Sequence, residues 1–101
     1  MGYVKAASTR DLLPKKAMGL ELEGRSILLA TFENKYYAIG NRCTHMACML
    51  SDGTLRGYRI ECPCHKSNFD IRTGKVVKEP AQEPEQVLDV KLEEDQILIN
   101  V

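Results

Sequence analysis

Cys43-Thr44-His45-Met46-Ala47-Cys48 and Cys62-Pro63-Cys64-His65-Lys66-Ser67 hold all four cysteines and both histidines of a 101-residue chain. Thiolate and imidazole are common protein ligands of iron and zinc. Concentrating both types in two short stretches points to one metal centre built from two loops. The rest of the chain carries no catalytic motif. It reads as a scaffold that brings these stretches face to face.

The segments around the two stretches are short and cut by glycine and proline. Val4 to Ala7 alternates weakly, as an edge strand does. Ser8-Thr9-Arg10-Asp11 starts a single helical turn that Pro14 stops. Ala17 to Leu22 is extended and ends at Gly24. Ser26 to Phe32 is the richest strand signal, and Glu33-Asn34-Lys35 turns it into Tyr36 to Ile39. Asn34 tolerates the left-handed backbone such a turn needs. Gly40-Asn41 ends that hairpin and delivers the chain to the first stretch. Between the stretches, residues 50–53 and Gly57 are turn punctuation, and Tyr58 to Glu61 is a short strand running into the second. Ser67 to Ile71 is another strand, followed by a turn at 72–75 and a proline-bearing loop at 79–84. Val87 to Leu92 and Gln96 to Val101 form a terminal hairpin. No helical period lasts three turns, so the expected class is all-β, an antiparallel sandwich or small barrel.

Composition bounds the function. A chain of this length is one domain, spanning 1–101. Residues 1–75 carry 12 basic against 7 acidic side chains, and residues 76–101 carry 2 against 7. Neither imbalance suits a nucleic-acid binder, since the basic excess is small and no aromatic residues interleave with it. The acidic end is a solvated strand-and-turn surface. The longest apolar run, Ile27-Leu28-Leu29-Ala30, is far short of the ~20 residues a membrane span needs. The N-terminus lacks the apolar core of a signal peptide. A cytoplasmic location is expected. Gly74-Lys75 is no phosphate loop, and a Gly-x-Gly-x-x-Gly fingerprint is absent, so no nucleotide cofactor of that kind is expected.

The chemistry lies in the spacing. Cys43 and His45 are separated by one residue, Cys62 and His65 by two. A diiron cluster bridged by two sulfides needs four terminal ligands. Where two histidines replace two cysteines on one iron, the result is a Rieske centre. A structural Cys₂His₂ zinc module is the competing reading, but zinc knuckles favour a Cys-x₂₋₄-Cys pair over Cys-x-His. Disulfide exchange at Cys62-Pro63-Cys64 is disfavoured because the pair lacks Cys-x-x-Cys spacing.

Taken together, Cys43-Thr44-His45 and Cys62-Pro63-Cys64-His65 resemble the Rieske iron–sulfur family. The resemblance extends through Asn68-Phe69-Asp70 and Thr73-Gly74-Lys75 to the prolines at 80 and 84, and so covers nearly the whole chain. It implies a cluster-binding subdomain of two loops at about 41–70 and one [2Fe–2S] cluster. Cys43 and Cys62 would hold the inner iron, His45 and His65 the outer. It also implies a disulfide between Cys48 and Cys64, as in the branch typified by cytochrome bc complexes. Ferredoxins of aromatic-ring dioxygenases usually lack that pair. A cytoplasmic disulfide is unusual, but one buried beside a cluster would resist reduction.

Departures from the disulfide-bearing branch fall at Ala47 and Lys66, where glycine is usual, and at Phe69, where its high-potential members have tyrosine. Ser67 matches that branch. Donors aimed at sulfur and positive charge nearby stabilise the reduced centre. Ser67, Phe69, Arg42 and Lys66 are therefore the residues expected to tune the potential, within about −150 to +300 mV. The resemblance also implies that the free ring nitrogens of the two histidines acidify on oxidation, making the potential fall as pH rises.

Such a centre moves one electron and has no vacant coordination position. Both histidines are already used, so the mononuclear iron of an oxygenase has no usual triad here. The expected function is a Rieske-type ferredoxin, not an enzyme. It would be a monomeric carrier between redox proteins: a reductase on one side, an oxygenase or oxidase on the other. The alternative is a small subunit fixed in a larger complex, of the nitrite reductase small-subunit type. Met46, Met49 and Leu50 are either an apolar docking collar or core beneath the first loop.

Overall fold

The computed structural model describes residues 2–12, 16–42, 48–64, 67–78 and 85–100, with Lys78 described in its backbone only. Among them are β1 (Tyr3–Ser8), β2 (Ala17–Leu22), β3 (Arg25–Phe32), β4 (Lys35–Gly40), β5 (Thr54–Arg56), β6 (Arg59–Glu61), β7 (Asn68–Asp70), β8 (Val76–Lys78), β9 (Val87–Leu88), β10 (Val90–Glu93) and β11 (Gln96–Asn100). Two short 3₁₀ turns, Thr9–Leu12 and Leu50–Asp52, complete the described elements. None of the described helices is long and apolar enough to cross a membrane.

The strands form three antiparallel sheets, ordered β1-β11-β10, β2-β3-β4-β9 and β5-β6-β7-β8. The centre of the middle one, β3, is buried on both faces over the run Ile27-Leu28-Leu29-Ala30. Side chains alternate across a strand, so four apolar residues in succession supply two cores. Ile27 and Leu29 pack with Ala38, Leu88, Ile97 and Ile99 toward the first sheet. Leu28 and Ala30 pack with Ile39, Ile60, Phe69 and Ile71 toward the third. Replacing one of the four by a charged residue would bury an unpaired charge in one core or the other.

Turn chemistry sets the hairpins. Glu33 and Asn34 both have positive φ (54° and 64°), the left-handed pair that joins β3 to β4 in two residues. Thr31 caps this turn by donating its hydroxyl to the Lys35 carbonyl at 2.8 Å. Glu23-Gly24 makes the same kind of turn between β2 and β3. At the N-terminal 3₁₀ turn, the Asp11 carboxylate accepts from the Ser8 amide at 2.9 Å.

One expectation from sequence needs correction, and two strands were not anticipated. The stretch 87–92 is not one strand: Val87–Leu88 pairs with β4, whereas Val90–Glu93 pairs with β11. Asp89 lies at this change of sheet, and its carbonyl accepts from the Asn100 amide at 2.9 Å. Thr54–Arg56, unassigned from sequence, is a strand because it pairs with Arg59–Glu61. Val76–Lys78 is likewise a strand, paired with β7.

Candidate metal centre

The two Cys/His stretches sit on neighbouring loops of this scaffold. The first leaves β4 and returns into the Leu50–Asp52 turn. Its neck is closed by a bridge between Arg42 and Met49 and by the Leu50 amide, which donates to the Asn41 carbonyl at 2.6 Å. The second connects β6 to β7, and its neck is closed by the Cys62 amide donating to the Ser67 carbonyl at 2.7 Å. Each stretch is therefore a finger pinched at its base, which removes much of the conformational freedom a ligand-bearing loop would otherwise lose on binding.

A disulfide between Cys48 and Cys64 ties the fingers together, with 6.4 Å between the α-carbons. Cys48 is half-buried and packs against the core under the third sheet, whereas Cys64 is exposed. Cys62, two residues earlier, is a free cysteine and is 1 % exposed. It lies in the same core as Leu28, Leu50, Ile60 and Phe69. A buried free thiol at the base of a necked loop is an inert small hydrophobe or a ligand. Its position beside the disulfide that joins the fingers suits the latter, and this one described thiol fits a thiolate-bound cluster. Cys43, His45, His65, Met46, Ala47 and Lys66 lie outside the described residues.

The remaining singled-out residues divide. Ser67 and Phe69 are fully buried at the root of the second finger, and Phe69 packs in the same core as Cys62. Arg42 is exposed at the neck of the first. Leu50 is fully buried and belongs to the core, so of its two readings it takes the core one. Met49 is half-buried, with its sulfur 3.7 Å from the Ser26 hydroxyl.

The connection between β8 and β9 is anchored where it enters β9. The Glu85 amide donates to the Gly74 carbonyl at 2.7 Å, and the Gly40 amide donates to the Gln86 carbonyl at 2.9 Å. Gly74 has φ +74°, and a Cβ there would run into the Glu85 carbonyl oxygen. Residues 79–84, the proline-bearing loop, lie outside the described residues.

At the opposite end of the third sheet a polar clamp binds it to the middle sheet. Arg72 forms a two-pronged ion pair with Asp70, at 2.9 Å and 3.1 Å, and lies 4.0 Å over the Tyr58 ring. Tyr58 meets Phe32 and Tyr37 edge-on, and its hydroxyl donates to the Glu33 carboxylate at 3.2 Å. Hydrogen bonding from Arg72 holds the Asp70 carboxyl below its ordinary value. Desolvation, together with the Glu33 carboxylate, raises the Tyr58 phenol. Sequence reasoning passed over this clamp because its members are far apart in the chain.

Comparison with known proteins places the arrangement. Residues 2–97 match the family described as Rieske [2Fe-2S] domain. The chain is 34% identical over 99 residues to the ferredoxin component of the naphthalene 1,2-dioxygenase system of Pseudomonas putida, covering 98% of this chain and 95% of that one. It is 33% identical over 101 residues to the biphenyl 2,3-dioxygenase ferredoxin component of Rhodococcus jostii, covering 100% and 94%. Among solved structures, the ferredoxin of carbazole 1,9a-dioxygenase from Nocardioides aromaticivorans superposes with a TM-score of 0.93 at 29% identity, over 98% of this chain and 97% of that one. These similarities run to dioxygenase ferredoxins, while the disulfide follows the other branch.

Proposed function

Because the chain belongs to the Rieske [2Fe–2S] family, we propose that Cys43, His45, Cys62 and His65 hold its one cluster, a cysteine and a histidine from each finger. When bound, the cluster supplies storage for one electron. The protein is an electron carrier of the ferredoxin type and not itself a catalyst. The two pinched fingers tied by Cys48–Cys64, with Cys62 buried at the base of the second, are the observation that carries the ligand assignment.

The scaffold's part is to hold the donors and keep water from the inner side. Cys62, packed among Leu50, Ile60 and Phe69, has its thiol in an apolar wall. Phe69 has no hydroxyl to offer a sulfur ligand, whereas the buried Ser67 has one, and Arg42 and Lys66 add positive charge beside the ligands. These four residues set the potential between the tyrosine-bearing centres and ferredoxins without the serine. The carrier works in the cytoplasm, takes its electron from a reductase and passes it to an oxygenase acting on an aromatic ring. The ferredoxin components it resembles belong to naphthalene and biphenyl dioxygenase systems. An oxygenase–ferredoxin complex of carbazole 1,9a-dioxygenase contains a similar chain at TM-score 0.89.

Reconstitution tests the role. The purified protein is combined with the reductase and oxygenase of a naphthalene dioxygenase system in place of their own ferredoxin. Coupled consumption of reduced nicotinamide and naphthalene is expected. Reduction of the protein without any electron reaching the oxygenase would refute the oxygenase assignment while leaving the carrier role standing.

A further inference from the structure

Asn41 is the last residue of the scaffold before the first finger, and each of its polar groups is engaged there. Its amide donates to the Ser26 carbonyl at 3.1 Å, extending the β3–β4 ladder by one step. Its carbonyl accepts from the Leu50 amide at 2.6 Å. Its side-chain Oδ1 accepts from the Ser51 amide at 2.8 Å, and its Nδ2 donates to the Ser51 Oγ at 3.0 Å. The residue is 4 % exposed. One buried side chain thus fastens the outgoing strand of the finger to the returning one, on the far side of the bridge between Arg42 and Met49.

The neighbouring strand is shaped around this pair. A Cβ on Gly19 in β2 would stand 2.5 Å from Ser51 Oγ, 2.7 Å from Asn41 Nδ2 and 2.9 Å from Ser51 Cβ. A Cβ does not stand that close to another heavy atom, so a side chain at position 19 would push Asn41 and Ser51 out of their present positions. Leu50, the residue before Ser51, is fully buried. The pair therefore lies between β2, at the edge of the middle sheet, and the core beneath Leu50.

We propose that Asn41 is a positioning residue for the cluster. Its knot with Ser51, held against Gly19, fixes the point from which the chain leaves toward Cys43 and His45. The inference rests on the ligand set proposed above. A donor two residues beyond a fixed point has few positions open to it, and a misplaced ligand changes both the hold on iron and the electronic signature of the site. In this role the Asn41 side chain acts through Ser51.

The test uses Asn41→Ala, Ser51→Ala and Gly19→Ala, with Arg72→Ala at the opposite end of the third sheet as control. Ser51→Ala keeps the bond from the residue-51 amide to Oδ1 and loses only the hydroxyl contact. Gly19→Ala keeps both side chains of the pair and displaces them from behind. Three quantities are read on the cluster-bearing protein: iron release to a ferrous chelator, the electron paramagnetic resonance of the reduced form, and hydrogen exchange at the residue-51 amide. Asn41→Ala and Gly19→Ala are expected to release iron at least tenfold faster than wild type, with a shifted resonance and faster exchange. Ser51→Ala should fall between them and wild type, and Arg72→Ala should leave the resonance unchanged whatever melting temperature it loses. Should Asn41→Ala fail to fold, Ser51→Ala and Gly19→Ala decide. Wild-type resonance and iron release in the variants, or changes that Arg72→Ala reproduces at equal loss of melting temperature, overturn the inference alone. A wild-type protein that takes up no iron overturns the ligand set and this inference together.

Discussion

Removing the disulfide by replacing Cys48 and Cys64 with alanine should cost about 3 kcal/mol. The bond joins residues separated by 16 positions. Cross-linking a loop of that length removes roughly 10 cal/mol/K of entropy from the unfolded chain, which is about 3 kcal/mol at 25 °C. The substitutions themselves subtract little in packing. Cys64 is exposed, and Cys48 is only half-buried against the core. Domains of this size are stable by only about 5–15 kcal/mol, so the loss is a large share of the total. In a 100-residue domain it corresponds to a fall of about 12–24 °C in melting temperature. The assay is thermal unfolding of the cluster-bearing proteins without oxygen, followed by far-ultraviolet circular dichroism. Added dithiol should bring the wild type toward the double variant and leave the variant where it is. A fall below about 4 °C, equivalent to under ~1 kcal/mol, would refute the reasoning. It would mean that something else already holds the fingers together in the unfolded chain.

Phe69→Ala should lose about 3–5 kcal/mol in urea unfolding, because a fully buried ring leaves a cavity beside Ile60 and Cys62; a loss under ~1 kcal/mol would show that this core closes over the gap. Asp70→Asn should reveal the ion pair with Arg72 through pH. The folded carboxyl titrates below its ordinary value of 3.8. Its contribution is therefore fully present above that value and disappears as pH falls through the lower folded value. The gap in melting temperature between wild type and variant should be widest above pH 4 and narrow below it, and a gap that widens on acidification would contradict the assignment. Gly74→Ala, at φ +74° and against the Glu85 carbonyl, should detach the segment between β8 and β9. Faster hydrogen exchange at the Glu85 amide is expected, and unchanged protection there would contradict it.

The core was legible because its signal is local. Four apolar residues at 27–30 specify a strand buried on both faces, and the positive φ of Asn34 follows from its small polar side chain. The missed strands β5 and β8 have only three residues each, and pairing with β6 and β7 makes them strands rather than their own propensity. The change of sheet at Asp89 was hidden for a related reason, since the alternation from Val87 to Leu92 looks the same whichever partner each half finds. At the site, the disulfide was anticipated through family resemblance. Asn41 was read only as the end of a hairpin. Nothing local distinguishes an exposed turn asparagine from one whose side chain meets Ser51 across a finger; Gly19, far away in β2, is the missing clue. Arg72 and Tyr58 were invisible for the same reason of distance.

The central claim is that one iron of the cluster is held by nitrogen from both histidines. The chain contains two histidines in all, so uniform histidine labelling with nitrogen-15 marks His45 and His65 and nothing else. Pulsed electron paramagnetic resonance of the reduced, labelled protein should show two strongly coupled nitrogen-15 nuclei. A reduced centre coupled to no labelled nitrogen, or to only one, would contradict the account.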